Sequence, residues 1–117
     1  MTTFIETKME QGKRGEKLAE VWLKDRGFQI LRQNWRSSRK WQAGEVDILA
    51  KRTALELWLI EVKCHQAKDF ALLGAAQLSR LRRSARLLKA EVPGFNVRIA
   101  LLWVEPKSEK IEWLENP

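Results

Sequence analysis

The stretch GEVDILAKRTALELWLIEVKCH, residues 44–65, decides how this chain is read. It holds two runs rich in β-branched and aromatic residues, EVDILA at 45–50 and LWLIEVK at 57–63, which predict strands. The intervening KRTALE has the length of a hairpin connection. Three charged residues stand inside these apolar runs: Asp47 in the first, Glu61 and Lys63 in the second. Burying a charge without a partner costs several kcal/mol, so their presence needs a physical reason.

Strand side chains alternate between faces, so Trp58, Ile60 and Val62 share one face and Leu59, Glu61 and Lys63 the other. Glu61 and Lys63 are then neighbours, roughly 7 Å apart along the strand. If the two strands pair as a hairpin, a permitted register sets Asp47 beside Glu61. Two carboxylates converging at a strand end suit a hard divalent cation. Mg²⁺ takes oxygen ligands at about 2.0–2.1 Å, keeps several waters and commonly needs only one or two carboxylates. A lysine two residues on could hold a phosphate or an attacking water. The competing reading is a salt-bridged trio that merely ends the strands. On these residues alone both readings stand.

Outward from this stretch, GEKLAEVWLKDRG at 15–27 predicts a helix with Leu18, Ala19, Trp22 and Leu23 on its apolar face. Gly27 is placed to cap it, with Lys24 and Arg26 in the last turn. Residues 1 to about 12 read as a frayed or partly helical arm. FQIL at 28–31 reads as a short strand, and the basic segment RQNWRSSRKWQAG after it as a loop or hairpin crossing. A second helix is expected from near Leu73, with Leu78, Leu81, Ala85 and Leu88 on its core face, ended by Pro93-Gly94. VRIALLWVE at 97–105 is apolar enough for a strand buried on both faces, and KIEWLE at 110–115 for a last edge strand. The order is α-β-β-β-α-β-β, an α/β class.

The chain has 117 residues, 44% of them hydrophobic, which suits one domain spanning 1–117 with a single core. One cysteine, Cys64, excludes an intrachain disulfide. With the lone His65 it cannot supply the usual four ligands of a structural zinc site. No apolar signal-peptide core follows the start, and no run reaches the roughly 18 apolar residues of a membrane span. A cytoplasmic protein with no membrane role is expected. The formal net charge of +7 favours a polyanionic partner, and nucleic acid is the expected one.

An acid, a strand-borne Asp and a Glu-x-Lys resemble the PD-(D/E)XK motif of restriction-endonuclease-like nucleases, here Glu16, Asp47 and Glu61-Val62-Lys63. More closely, the chain resembles the YraN-like family of small bacterial proteins. The matching pieces are GKRGEKLAEVWLKDRGFQILRQNWR, GEVDILA, LIEVK and LSRLRRSARLL, which cover most of residues 12–103 in the family's order. The resemblance implies a restriction-endonuclease-like core: a mixed sheet flanked by helices, with a Mg²⁺- or Mn²⁺-dependent nuclease site at the sheet's edge. DNA, branched or damaged, is the implied substrate. The chain departs from the family at Cys64-His65, where Thr-Arg is usual. It departs again at Gln77, where a lysine is common, and at Ala100, where an aspartate is common.

The resemblance makes Asp47 and Glu61 metal ligands, with the Val62 carbonyl as a third. Lys63 would orient or help deprotonate the attacking water, or stabilise charge in the transition state. Glu16, at the margin of the first helix's apolar face, would reach the site through a metal-bound water. Its plain alternative is a first-turn glutamate favoured by the helix dipole. Gln77 resembles the helix-borne glutamine that some related nucleases place near their lysine. Glu20 is expected to face solvent or pair with Lys24.

Arg36, Arg39 and Lys40 interleave with Trp35 and Trp41, and Arg82, Arg86 and Lys89 form a stripe on the second helix. Both groups suit phosphate contacts. The plain alternatives are core packing for the tryptophans, favoured for Trp35, and a solvated face for the arginines. His65 reads as a polar strand-end residue and Cys64 as a small packed one. The alternative function is a nucleic-acid-binding protein or subunit that keeps the fold without catalysis. A homodimer or a protein partner is compatible with either reading.

Overall fold

The computed structural model describes residues 7–36, 45–64 and 75–116. The elements run α1 (Lys8–Asp25), β1 (Gln29–Trp35), β2 (Val46–Thr53), β3 (Glu56–Cys64), α2 (Ala75–Glu91), β4 (Asn96–Glu105) and β5 (Lys110–Glu115). This is the order expected from the sequence.

Helix α1 begins well before the position expected, because a capping box starts it. The Thr7 hydroxyl accepts from the Glu10 backbone N–H at 3.1 Å, and Glu10 returns to Thr7. Two otherwise orphaned groups are thereby satisfied, so residues 8–14 extend the helix rather than fray. Its end is as expected. Gly27 takes φ +85°, its N–H donates to the Lys24 carbonyl, and the Phe28 N–H donates to the Leu23 carbonyl. Phe28 then packs into the same core as Leu23.

The strands form one mixed sheet in the order β1-β2-β3-β4-β5. β1, β2 and β3 are antiparallel, β3 and β4 are parallel with α2 in the crossover between them, and β5 closes the edge antiparallel to β4. β1 reaches Trp35, four residues past the expected end. Residues 32–35 find partners in Leu49, Ile48 and Val46, and pairing overrides their polar composition. The β2–β3 strands also run through most of KRTALE, leaving a tight turn at Ala54 and Leu55.

Each sheet face carries its own core. Ala19 and Leu23 of α1 cover Phe28, Ile48, Ala50, Trp58, Ile60, Ala100, Leu102 and Val104. Leu81 and Leu88 of α2 cover Val46, Leu49, Leu57, Leu59, Ile99 and Leu101. β4 is buried at residues 99–104, so it lies between two apolar layers as its composition required. Each large apolar side chain so enclosed contributes about 1.5–3 kcal/mol relative to exposure. Among the described residues no helix is long and apolar enough to cross a membrane.

Candidate functional site

The β2–β3 register pairs Leu49 with Leu59 and Ile48 with Ile60. One step further it would pair Asp47 with Glu61, but the ladder stops there. Instead Asp47 Oδ2 accepts the Val62 N–H at 2.7 Å, so a side chain takes the place of a strand carbonyl. The sheet therefore opens into a notch between β2 and β3. A strand residue's N–H and C=O project to the same lateral side, so the Val62 carbonyl also faces this notch.

The notch coincides with a break in side-chain alternation. Val46 packs in the α2-side core and Ile48, two residues on, in the α1-side core. On β1, Trp35 packs on the α2 side, whereas Gln33 Nε2 donates to Glu20 of α1. The register pairs Gln33 with Ile48 and Trp35 with Val46, which leaves Asn34 and Asp47 at the break on their two strands. Asn34 absorbs it with φ +52°, a left-handed conformation that Asn tolerates better than most residues.

Two hollows meet at this break. On the α1 side Glu16, Glu20, Gln33, Asn34 and Asp47 line a space of about 20 Å³, room for a single water. On the α2 side Glu61 opens into a cavity of about 230 Å³, shared with Glu45, Gln77, Arg80 and Ser84. Between the two, Asp47 and Glu61 stand near enough for Asp47 to act on the Glu61 carboxyl. Glu61 is pushed up to about 8, chiefly by burial, then by the hydrogen bond to Asp47 and by its charge; Lys63 and Arg80 oppose the shift. Burial and the neighbouring Asp47 thus both favour the protonated form of Glu61 near neutral pH.

This pair is the test of whether a metal fits. Two hard oxygen donors stand side by side, and a divalent cation is the partner that would displace the Glu61 proton and take both. Among the described residues no three His, Cys, Asp or Glu side chains form a metal cage by themselves. A cation here would accordingly rest on Asp47, Glu61 and the Val62 carbonyl, with water completing its shell.

Lys63 is half-buried and its charge acts on both Glu61 and Cys64. Cys64 packs on the buried Gly15 of α1, where any side chain would overlap its sulfur. Burial, then Glu16 and Asp47, push its thiol pKa up, which keeps it protonated and unreactive. That close approach of helix to strand is what carries Glu16, the next residue, to the site.

Comparison with known proteins places the chain in a family and a fold. Residues 15–104 match the family described as "Uncharacterised protein family UPF0102". A UPF0102 protein of Paramagnetospirillum magneticum is 36% identical, with 82% of this chain and 78% of that protein covered. A UPF0102 protein of Thermodesulfovibrio yellowstonii is 35% identical over 93% of this chain and 96% of its own length. The chain belongs to the UPF0102 family. This is the YraN-like family that the sequence motifs resemble. The UPF0102 fold also superimposes on a repair endonuclease from Pyrococcus abyssi, with a TM-score of 0.54 at 19% identity. That match covers 92% of this chain and 44% of the endonuclease. It superimposes likewise on an XisH family protein from Nostoc punctiforme, with a TM-score of 0.53 at 16% identity, covering 86% of this chain and 98% of that one. At such identities the likeness is one of fold: the restriction-endonuclease-like core.

The remaining expected residues of the UPF0102 chain separate. Arg36 pairs with Glu45 at 3.3 Å, at the mouth of the α2-side cavity. Arg39 and Lys40, with Trp41 and His65, lie outside the described residues. Trp35 packs on the α2-side core. Arg82 and Arg86 are exposed on α2. Lys89 differs from its expected role. Its ammonium donates to the Pro93 and Phe95 carbonyls and so ties down the chain leaving α2. Glu20 also differs, since it accepts from Gln33, lies 3.9 Å from Lys17 and lines the α1-side hollow. Its strand partner is 13 residues away in sequence and not on its own helix, so helical spacing could not reveal it. Arg80 and Ser84 are also site residues that the charge pattern did not single out. Their helical spacing, Arg80 three residues after Gln77 and Ser84 four after Arg80, is the signal that could have found them.

Proposed function

We propose that this UPF0102 chain is a Mg²⁺- or Mn²⁺-dependent nuclease that hydrolyses phosphodiester bonds in DNA, branched or damaged forms included. The observation that carries this reading is the Asp47–Glu61 pair, held in contact at an open notch with Lys63 beside it. Asp47, Glu61 and the Val62 carbonyl would hold the metal. When bound, it would lower the pKa of a water and polarise the scissile phosphate. Lys63 then supplies a fixed positive charge within reach of the phosphate or the attacking water, and its role is electrostatic. Glu16 lines the one-water hollow beside Asp47 and would orient the water there. Gln77 faces Glu61 from α2 and positions substrate rather than metal. The fold likeness to a repair endonuclease supports this reading, as does the +7 charge.

The test is a panel of single-stranded, duplex, flap and junction DNAs incubated with Mn²⁺. Cleavage is expected from the wild type and not from Asp47→Ala or Lys63→Ala. Equal turnover by all three proteins would reject the enzyme. A second reading, a binding protein without catalysis, is favoured by Gln77 and Ala100 standing where the family commonly has lysine and aspartate. It predicts salt-sensitive DNA binding with no metal uptake. A calorimetric Mn²⁺ site abolished by Glu61→Ala would count against it.

A further inference from the structure

The two hollows differ in a way that speaks to the substrate. The α1-side space has room for one water and can admit no part of a nucleic acid. The α2-side cavity, about 230 Å³, falls just below the range of pockets that enclose whole drug-sized ligands. Its size suits one heterocycle. Its floor is Ser84, 1% exposed and the only buried polar side chain among the described residues. Val46 and Leu81, both buried, form apolar walls. Gln77, half-buried, and Arg80, exposed, stand above Ser84 on the same face of α2, at spacings of three and four.

A bare phosphate fits this lining poorly. Glu45 and Glu61 line the space beside a single lining cation, Arg80, so the lining described offers no surplus of positive charge for an anion. A nucleobase fits on each count. It is neutral, planar, apolar on its faces and carries donors and acceptors on its edges. Carboxylate, amide and hydroxyl are the groups that read such edges, and an arginine plane stacks on the rings. A serine hydroxyl offers one donor and two lone pairs, so a bond within its own helix still leaves it able to meet a base.

We infer that the α2-side cavity receives one unstacked nucleobase, edge toward Ser84 and flanked by Arg80, so that the preferred substrate carries an unpaired nucleotide beside the notch. The binding half of this inference stands by itself, and the placement next to the scissile bond rests on the nuclease reading above. Extruding a base costs least where it is already unpaired, so bulges, flaps and mismatches are favoured over intact duplex.

The experiment compares a duplex containing a single bulged nucleotide with the same duplex carrying an abasic bulge. Binding is followed by fluorescence anisotropy in Ca²⁺, and cleavage is followed separately in Mn²⁺. Base stacking in such sites is worth about 5–150-fold in affinity, and about 10-fold tighter binding of the base-bearing bulge is expected. Ser84→Ala and Arg80→Gln are expected to cut that ratio to about threefold or less, with thermal melts showing that both variants fold. Equal, or equally undetectable, binding of the two duplexes by the wild type overturns the base pocket whatever the cleavage result. Base-dependent binding with no Mn²⁺ cleavage keeps the pocket and sinks the nuclease. Metal-dependent cleavage indifferent to the base does the reverse.

Discussion

Glu56 and Glu61 lie on the same strand, and the sheet treats them in opposite ways. Glu56 is at the far end of β3, where every demand of its carboxylate is met. Trp58 Nε1 donates to it at 2.6 Å, Arg52 Nε lies at 3.2 Å and Arg98 Nε at 3.6 Å. The two guanidinium groups sit over the rings of Phe28 and Trp58, which fixes them further. Glu61 is instead set beside another acid, Asp47, which raises its pKa while Lys63 and Arg80 oppose the shift. A protein that needed only to end its strands had the Glu56 solution available a few residues away. A carboxylate left in conflict, in a fold otherwise locally consistent, marks a place kept for something other than stability.

The widest expected gap is between activity and stability at the two ends. Asp47→Asn should remove about 100-fold or more of any metal-dependent cleavage, since even outer-shell changes at metal sites cost about 10–100-fold. It should leave the melting temperature nearly level, because an amide oxygen can still accept the Val62 N–H while the charge facing Glu61 is removed. Glu56→Ala should do the opposite. It strands the Trp58 indole N–H, on a side chain that is 0% exposed, at a cost of about 1–3 kcal/mol, and leaves cleavage intact. In a domain this size that is a fall of roughly 4–12 °C. The arginines are more than a third exposed, so their ion pairs add little to the loss. Melting curves and Mn²⁺ assays on both variants decide it, and a destabilised Asp47→Asn would break the contrast.

The same contrast has a pH form. The folded Glu61 carboxyl titrates near 8 against an ordinary 4.5, so between these values the folded chain holds a proton that the unfolded chain has released. Stability from this group is present in full below about 4.5 and falls as pH rises toward about 8. In a chelator the melting temperature should decline over that window, and Glu61→Gln should flatten the decline. Added Mn²⁺ would displace the Glu61 proton, so its stabilisation should be larger at pH 8 than at pH 6. A Mn²⁺ effect independent of pH would place the ion elsewhere.

Much of this was legible in the sequence. The alternation of LWLIEVK assigned its residues to faces correctly, and the antiparallel register followed from two strands and a short link. A register that sets Asp47 beside Glu61 was permitted by the sequence but not required by it. The rest depended on quantities that spacing does not carry. Where α2 sits on the sheet determines that Gln77, Arg80 and Ser84 share a cavity, while Arg82 and Arg86 face outward. The hydrogen bond from Gln33 to Glu20 joins a strand read as a loop to a helix face read as solvated. The left-handed turn at Asn34 has no composition signal beyond the residue's tolerance for it. The tryptophans resolve in part: Trp22, Trp58 and Trp113 pack with Phe28 at centroid distances of 5.4–5.7 Å, beside the Glu56 end.

The smallest expected effects lie along α1 and test how tightly the site end is assembled. Gly12 has nothing near the position a Cβ would take, so Gly12→Ala should raise stability by about 0.5–1 kcal/mol through helix propensity alone. Gly15, one turn on, is pressed against Cys64. Gly15→Ala gains the same propensity but drives a methyl into the sulfur, and the net should be a loss of about 1 kcal/mol, near the lower end of overpacking costs. Because the clash lifts α1 at the residue before Glu16, cleavage should fall with it. Removing the sulfur in the double variant Gly15→Ala, Cys64→Ala should recover both stability and cleavage beyond the sum of the single changes. Melting and Mn²⁺ assays on the four proteins of this cycle give the answer. Simple additivity would mean that the helix reaches the notch without resting on Cys64, and that Glu16 is placed by its hollow rather than by the glycine.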